Sequence, residues 1–169
     1  RNLVLIELYT GMRLGETLAL NTSDVDIHSN TISVSKILTH DENHKPYIHD
    51  SALSQTKDGA RLVQINDVFK NNVIEAIANA EANENNKEKL LFCQENGSLI
   101  LESSVNSYLK RVAKEIGLNY WKQFSSHRLR HTFATRCIEA GISLPVLQTL
   151  MGHHDIQTCL LYTSPSPRD

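Results

Sequence analysis

A mainly α domain with a small antiparallel β-sheet, an α+β fold, is the class this sequence predicts, on three observations. Apolar residues keep helical spacing at Leu3, Ile6, Leu8 and Tyr9 and again at Val68, Val73, Ile74 and Ile77. Residues 31–38, T-I-S-V-S-K-I-L, alternate with period two and read as a half-buried strand. The run Thr56-Lys57-Asp58-Gly59 is a hairpin-turn signature, followed by strand-like residues 60–65. At 169 residues the chain suits one domain, large enough to bury roughly two-thirds of its unfolded surface.

The elements follow in order. The chain opens without methionine and in mid-pattern, as a piece whose upstream part lies elsewhere. Gly11 closes the first helix and residues 15–18 start the next, so Arg13 falls in a tight turn between two helices. Residues 21–27 read as a turn with Asx-type residues, and 39–53, polar and His-rich, as an irregular insertion after the strand. Lys57 is then expected at a hairpin tip. Asn66 or Asp67 caps a helix that dissolves into the Asn/Glu-rich residues 81–89, and 90–92 form a short buried piece. Ser103 or Ser104 is expected to cap a helix running to Ile116 and Gly117. Ser126 caps another carrying His127, Arg130 and His131, with Phe133, Ala134 and Ile138 toward the core and Gly141 at its end. Ser143 and Pro145 open a last helix that Gly152 ends.

Composition narrows the class. No apolar run approaches the ~20 residues a membrane helix requires, and no secretory leader is present, so a cytoplasmic protein is expected. Cys93, Cys137 and Cys159 form no C-x-x-C pair and read as reduced thiols rather than a disulfide or zinc framework. The net charge of -2 hides an asymmetry: residues 66–102 hold seven acids against three Lys/Arg, whereas 103–138 hold seven Lys/Arg against Glu115 alone. That local excess suits a phosphate-facing surface.

The chemistry-bearing runs are T-G-M-R-L-G-E-T-L-A-L at residues 10–20, H-R-L-R-H at 127–131 and L-M-G-H at 150–153. Two planar guanidinium forks, Arg13 and Arg130, with the imidazoles of His127 and His153, are the inventory needed to hold the charge of a phosphodiester transition state. It points to phosphoryl transfer on nucleic acid.

Arg13 three residues before Glu16, then H-x-x-R, then G-H, then a tyrosine nine positions on at Tyr162, resembles the catalytic domain of the tyrosine recombinase (phage integrase) family over nearly the whole chain. The resemblance implies that family's fold and site-specific DNA recombination, integration or excision, through a 3′-phosphotyrosyl intermediate. It implies double-stranded DNA as partner, a homotetramer on that DNA, no cofactor, no metal, no membrane and no small-molecule substrate. Carried over by position, Arg13 and Arg130 would bind the non-bridging oxygens, Lys57 would protonate the leaving 5′-oxygen, and His127 would exchange a proton with the tyrosine or phosphate. His153 would donate to a non-bridging oxygen, Tyr162 would be the nucleophile, and Glu16 would support the Arg13 turn. Residues 1–162 would then be the catalytic domain of a longer protein whose upstream DNA-clamping domain is not in this sequence, and 163–169 a non-native or disordered tail. Residues 159–169, C-L-L-Y-T-S-P-S-P-R-D, also resemble a translated sequencing-library adapter, which would put Tyr162 in the tyrosine position by coincidence.

Other readings compete. His127 and His131 stand one helical turn apart and could join His153 and His154 around zinc, but Arg128 occupies the place of the glutamate in H-E-x-x-H and Arg130 would put a cation among the ligands. A catalytically inactive DNA-binding module would use the same arginines, and a type IB topoisomerase relative would use the same chemistry to relax supercoils.

Overall fold

The structure is a computed structural model that describes residues 1–50 and 60–152. Helix α1, Asn2–Thr10, ends where Gly11 turns left-handed at φ 65° and donates its N–H to the Glu7 carbonyl. A β-carbon on Gly11 would run into the Phe133 ring, so close packing requires glycine there as well as the backbone does. Helix α2, Leu14–Leu18, starts at once, and the Glu16 carboxylate accepts the Arg13 N–H at 2.8 Å to cap it. The expected tight turn at Arg13 is therefore present.

A 3-10 turn at Thr22–Asp24 leads into β1, Val25–Asp26, which pairs antiparallel with β2, Thr31–Val34. Strand β3, Lys36–His40, pairs instead with β4, Pro46–Asp50, and β5, Arg61–Gln64, returns to β2, giving one sheet β1-β2-β5 and a separate β3-β4 pair. Two expectations need correction here. The period-two run over 31–38 is two strands, parted at Ser35, that serve different sheets. Residues 39–53 are not an irregular insertion, because 46–50 form β4 with Ile48 opposite Leu38. Leu38 packs with Leu3, Leu14 and Leu18, and Ile48 lies against that cluster, so burial of alternate residues holds a strand whose His and Asp content hid it. Pro46 sits at the first position, where a missing N–H costs least.

Asn66 caps α3, Asp67–Ala82, accepting the Val68 N–H at 3.1 Å. Helix α4 spans Glu102–Glu115, a 3-10 turn follows at Trp121–Gln123, and α5 and α6 span Ser126–Glu139 and Leu144–Met151. Ser143, Pro145 and Gly152 bound α6 as the sequence predicts. The serine caps of α4 and α5 do not form: Leu101 and Ser125 hold those N-cap positions without side-chain bonds, and the Ser126 hydroxyl turns inward to Glu7. A better acceptor, a buried carboxyl, outcompetes the helix end.

Helix α1 is the hub of the fold. Ile6 packs with Ile32, Val34, Val63, Phe69 and Val73, joining the main sheet to α3, and the Tyr9 ring stacks on Phe69 at 5.7 Å. A second apolar cluster, Ala134, Cys137, Leu147 and Met151, fixes α6 on α5. Fully burying each large aliphatic or aromatic side chain contributes about 2 kcal/mol, so these clusters fix where the polar side chains between them must point. No helix among the described residues is long and apolar enough to cross a membrane.

Candidate active site

Three consecutive carbonyls at the C-terminal end of α6 each accept one arginine from a different part of the chain. Arg61 Nε donates to the Leu150 carbonyl at 3.1 Å, Arg130 Nη2 to Met151 at 2.8 Å, and Arg13 Nη2 to Gly152 at 3.0 Å. Arg130 Nη1 also donates to the Gly11 carbonyl. The last carbonyls of a helix have no intrahelical partner and carry the negative end of its dipole, so this end is a natural seat for cations. Arg13 and Arg130, distant in sequence, are thereby brought together.

The two differ in exposure. The Arg13 side chain is 40% exposed, whereas Arg130 retains 4%. Both guanidinia are thus held in place by backbone carbonyls of the same helix end.

Glu16 supports them from below. Its carboxylate takes the Arg13 N–H, a bond from Arg13 Nη1 at 3.0 Å, and a two-pronged bond from Arg61, whose Nη1 and Nη2 reach Oε1 and Oε2 at 3.0 and 2.8 Å. Burial alone would push this carboxyl up. The Arg61 bonds and charge, with those of Arg13, outweigh it and hold Glu16 below the usual carboxylate range. Glu16 is thus placed as a support for the Arg13 turn. Arg61 was not singled out by the sequence, and only its place at the start of a strand after T-K-D-G could have marked it.

His127 stands exposed at the start of α5, its ring edge-on to His131 with centroids 4.5 Å apart. Partial desolvation and the nearby Arg130 charge lower its pKa, and His131 is lowered by desolvation and then by His127, Arg128 and Arg130. A neutral imidazole at pH 7 accepts a proton more readily than it donates one. Among the described residues no group of three or more His, Cys, Asp or Glu could hold a metal ion.

Behind His127 lies a second buried acid. Ser126 Oγ donates to Glu7 Oε1 at 2.6 Å, and the Ser126 N–H is taken by Asn106 Oδ1 at 2.9 Å. Burial pushes the Glu7 carboxyl up to about 7, against the Ser126 bond and with help from the Glu102 charge, and its Oε2 has no hydrogen-bond partner.

The basic stretch expected over residues 103–138 covers the surface of α4, the 3-10 turn and α5. There Arg111 lies over Tyr108, Lys114 and Lys122 over Trp121, and Arg128 over Tyr120, at 5.1 to 5.8 Å. Lys57, His153 and Tyr162, with the tail 163–169, lie outside the described residues.

The sequence model described as the phage integrase family matches residues 1–168. Among similar sequences, the tyrosine recombinase XerD of Oceanobacillus iheyensis is 29% identical over 96% of this chain and 50% of its own length. The tyrosine recombinase XerC of Alcanivorax borkumensis is 31% identical over 90% and 43%. The chain spans about half the length of the relatives it matches. Among solved structures, the integrase of transposon Tn1549 in complex with circular intermediate DNA superposes with a TM-score of 0.83 at 26% identity, covering 98% of this chain and 55% of that one. The XerH recombinase bound to its difH substrate gives 0.71 at 25%, over 99% and 43%.

Proposed function

We propose that this chain, which belongs to the phage integrase family, is the catalytic part of a tyrosine-type site-specific DNA recombinase. Its substrate is a DNA phosphodiester, and its relatives' solved complexes with DNA support that choice. The observation that carries the reading is the convergence of Arg13 and Arg130 on neighbouring carbonyls of one helix end.

In this reading the two guanidinia bind the non-bridging oxygens of the scissile phosphate. They stabilise the charge that grows as phosphorus becomes five-coordinate. The Tyr162 hydroxyl attacks phosphorus and passes its proton to His127, which the lowered pKa leaves neutral and ready to accept. The bond to the 5′-oxygen breaks as Lys57 supplies its proton, leaving a 3′-phosphotyrosyl link and a free 5′-hydroxyl. Attack by the 5′-hydroxyl of a second strand reverses these transfers and reseals the DNA. His153 donates a hydrogen bond to a non-bridging oxygen. The Lys/Arg and aromatic surface of α4 and α5 holds the duplex backbone, and four copies assemble on two duplexes for strand exchange. Such a protein works in the compartment that holds the DNA.

Covalent trapping tests the reading. Incubated with a duplex nicked next to the cleavage position, the chain should give a protein-DNA band that survives denaturing electrophoresis and is lost in Tyr162→Phe. DNA binding with no such band in parent protein would leave a non-catalytic module instead. With a 5′-bridging sulfur in the substrate, Lys57→Ala should recover cleavage, because a thiolate leaves without a proton.

A further inference from the structure

Arg61 is the third guanidinium in the row, and it joins the end of α6 to the Glu16 carboxylate. Its side chain is 8% exposed, and its Nε, Nη1 and Nη2 are all engaged by Leu150 and Glu16. That leaves it badly placed to be a surface contact for DNA. Glu16, 6% exposed at its side chain, draws its buried neutralising charge chiefly from Arg61, since Arg13 is far more open to solvent. Gly152 completes the fit: it is left-handed at φ 62°, and a β-carbon there would lie 2.8 Å from Arg61 Nη1. The room Arg61 occupies exists because residue 152 has no side chain.

We propose that Arg61 is a positioning residue of the cleavage site. Through Glu16 it holds Arg13, through the Leu150 carbonyl it holds the helix end that seats Arg130, and by its place on β5 it ties that strand to both. The role rests on the recombinase reading for its catalytic meaning, though not for its geometry. Lysine is a poor substitute, because it puts all its donors on one nitrogen, whereas Arg61 meets the Leu150 carbonyl from Nε and the two Glu16 oxygens from Nη1 and Nη2. Without Arg61, Glu16 would be a buried carboxylate tied chiefly to Arg13, and the arginine pair would lose its fixed spacing.

Hydrogen exchange by mass spectrometry on the chain itself, without DNA, tests the geometry. In Arg61→Lys, exchange of residues 14–18 and of 147–152 should both rise, about tenfold, as expected for groups sharing one network, while α3 stays protected. Should Arg61→Lys fail to fold cooperatively, the pair Arg61→Gln with Glu16→Gln replaces the ion pair by neutral hydrogen-bonding groups and should show the same two-segment loosening. A rise confined to β5 overturns the proposal. In the trapping assay, Arg61→Lys should lower the rate of adduct formation by a similar factor with DNA affinity unchanged, and adding Glu16→Gln should cost little more. Lost affinity at unchanged cleavage rate, or a fully additive double variant, would make Arg61 a DNA contact and overturn its positioning role. If the parent chain forms no adduct at all, the recombinase reading falls, and the exchange result alone decides whether Arg61 orders the frame.

Discussion

Glu7 and Glu16 lie nine positions apart, at 1% and 5% exposure, and the fold gives them opposite protonation. Glu16 faces two guanidinia and is held ionised below the ordinary carboxylate range. Glu7 faces one serine hydroxyl, and burial, helped by the Glu102 charge, pushes its carboxyl up to about 7. The same side chain in the same depth of protein thus becomes an anion in one place and a near-neutral acid in the other. Partners decide, because removing a carboxylate from water costs several kcal/mol unless cations and N–H donors replace the solvent.

The largest effect expected from breaking this contrast is at the charged member. Glu16→Ala leaves Arg61 buried without its carboxylate and should cost about 3 to 5 kcal/mol of stability, read as a lower urea midpoint. Next come the arginines. Arg13→Lys and Arg130→Lys should each lose about 2 to 4 kcal/mol of transition-state stabilisation in adduct formation while the domain stays folded. Near-native cleavage by either would remove it from the phosphate clamp.

The neutral member gives a pH signature. Glu7 binds its proton more tightly folded, near 7, than unfolded, near 4.5, so its contribution is whole below pH 4.5 and is lost as pH rises toward 7. The full loss is about 3 kcal/mol. Glu16 runs the other way: its contribution is present above its unfolded value and lost as acid protonates it. Glu7→Gln should therefore remove the decline in melting temperature between about pH 5 and 7 and leave the acid limb intact. A variant with an unchanged pH profile would place the titration elsewhere. The smallest effect is expected of Ser126→Ala, about 1 to 2 kcal/mol at pH 8, shrinking at pH 5 where Glu7 is protonated and the bond is no longer to a charge.

How much of this was readable in the chain follows the same division between local and distant causes. Gly11, Asn66, Ser143, Pro145 and Gly152 act through the backbone beside them, and the sequence marks each correctly. Arg13 and Glu16, one turn apart, were likewise legible as a unit. Strand β4 was not, because its apolar contact with Leu38 and the helix cluster is set by packing rather than by its own pattern. The two serine caps failed for a related reason. A serine at a helix start is a good cap only when nothing deeper competes for its hydroxyl, and Glu7 competes from 119 positions away. Arg61 carried no local sign beyond its place at the start of a strand after T-K-D-G, since its partners are 45 and 89 positions off.

The row of carbonyls at Leu150, Met151 and Gly152 has a consequence for how the protein comes into being. A ribosome makes Arg13 and Arg61 well before it makes these acceptors, and until α6 docks those two cations have Glu16 as their shared counter-charge. The row of three arginines is therefore complete only when its latest described segment arrives. A chain that stopped short of residue 150 would lack the acceptors that set Arg13, Arg61 and Arg130 side by side.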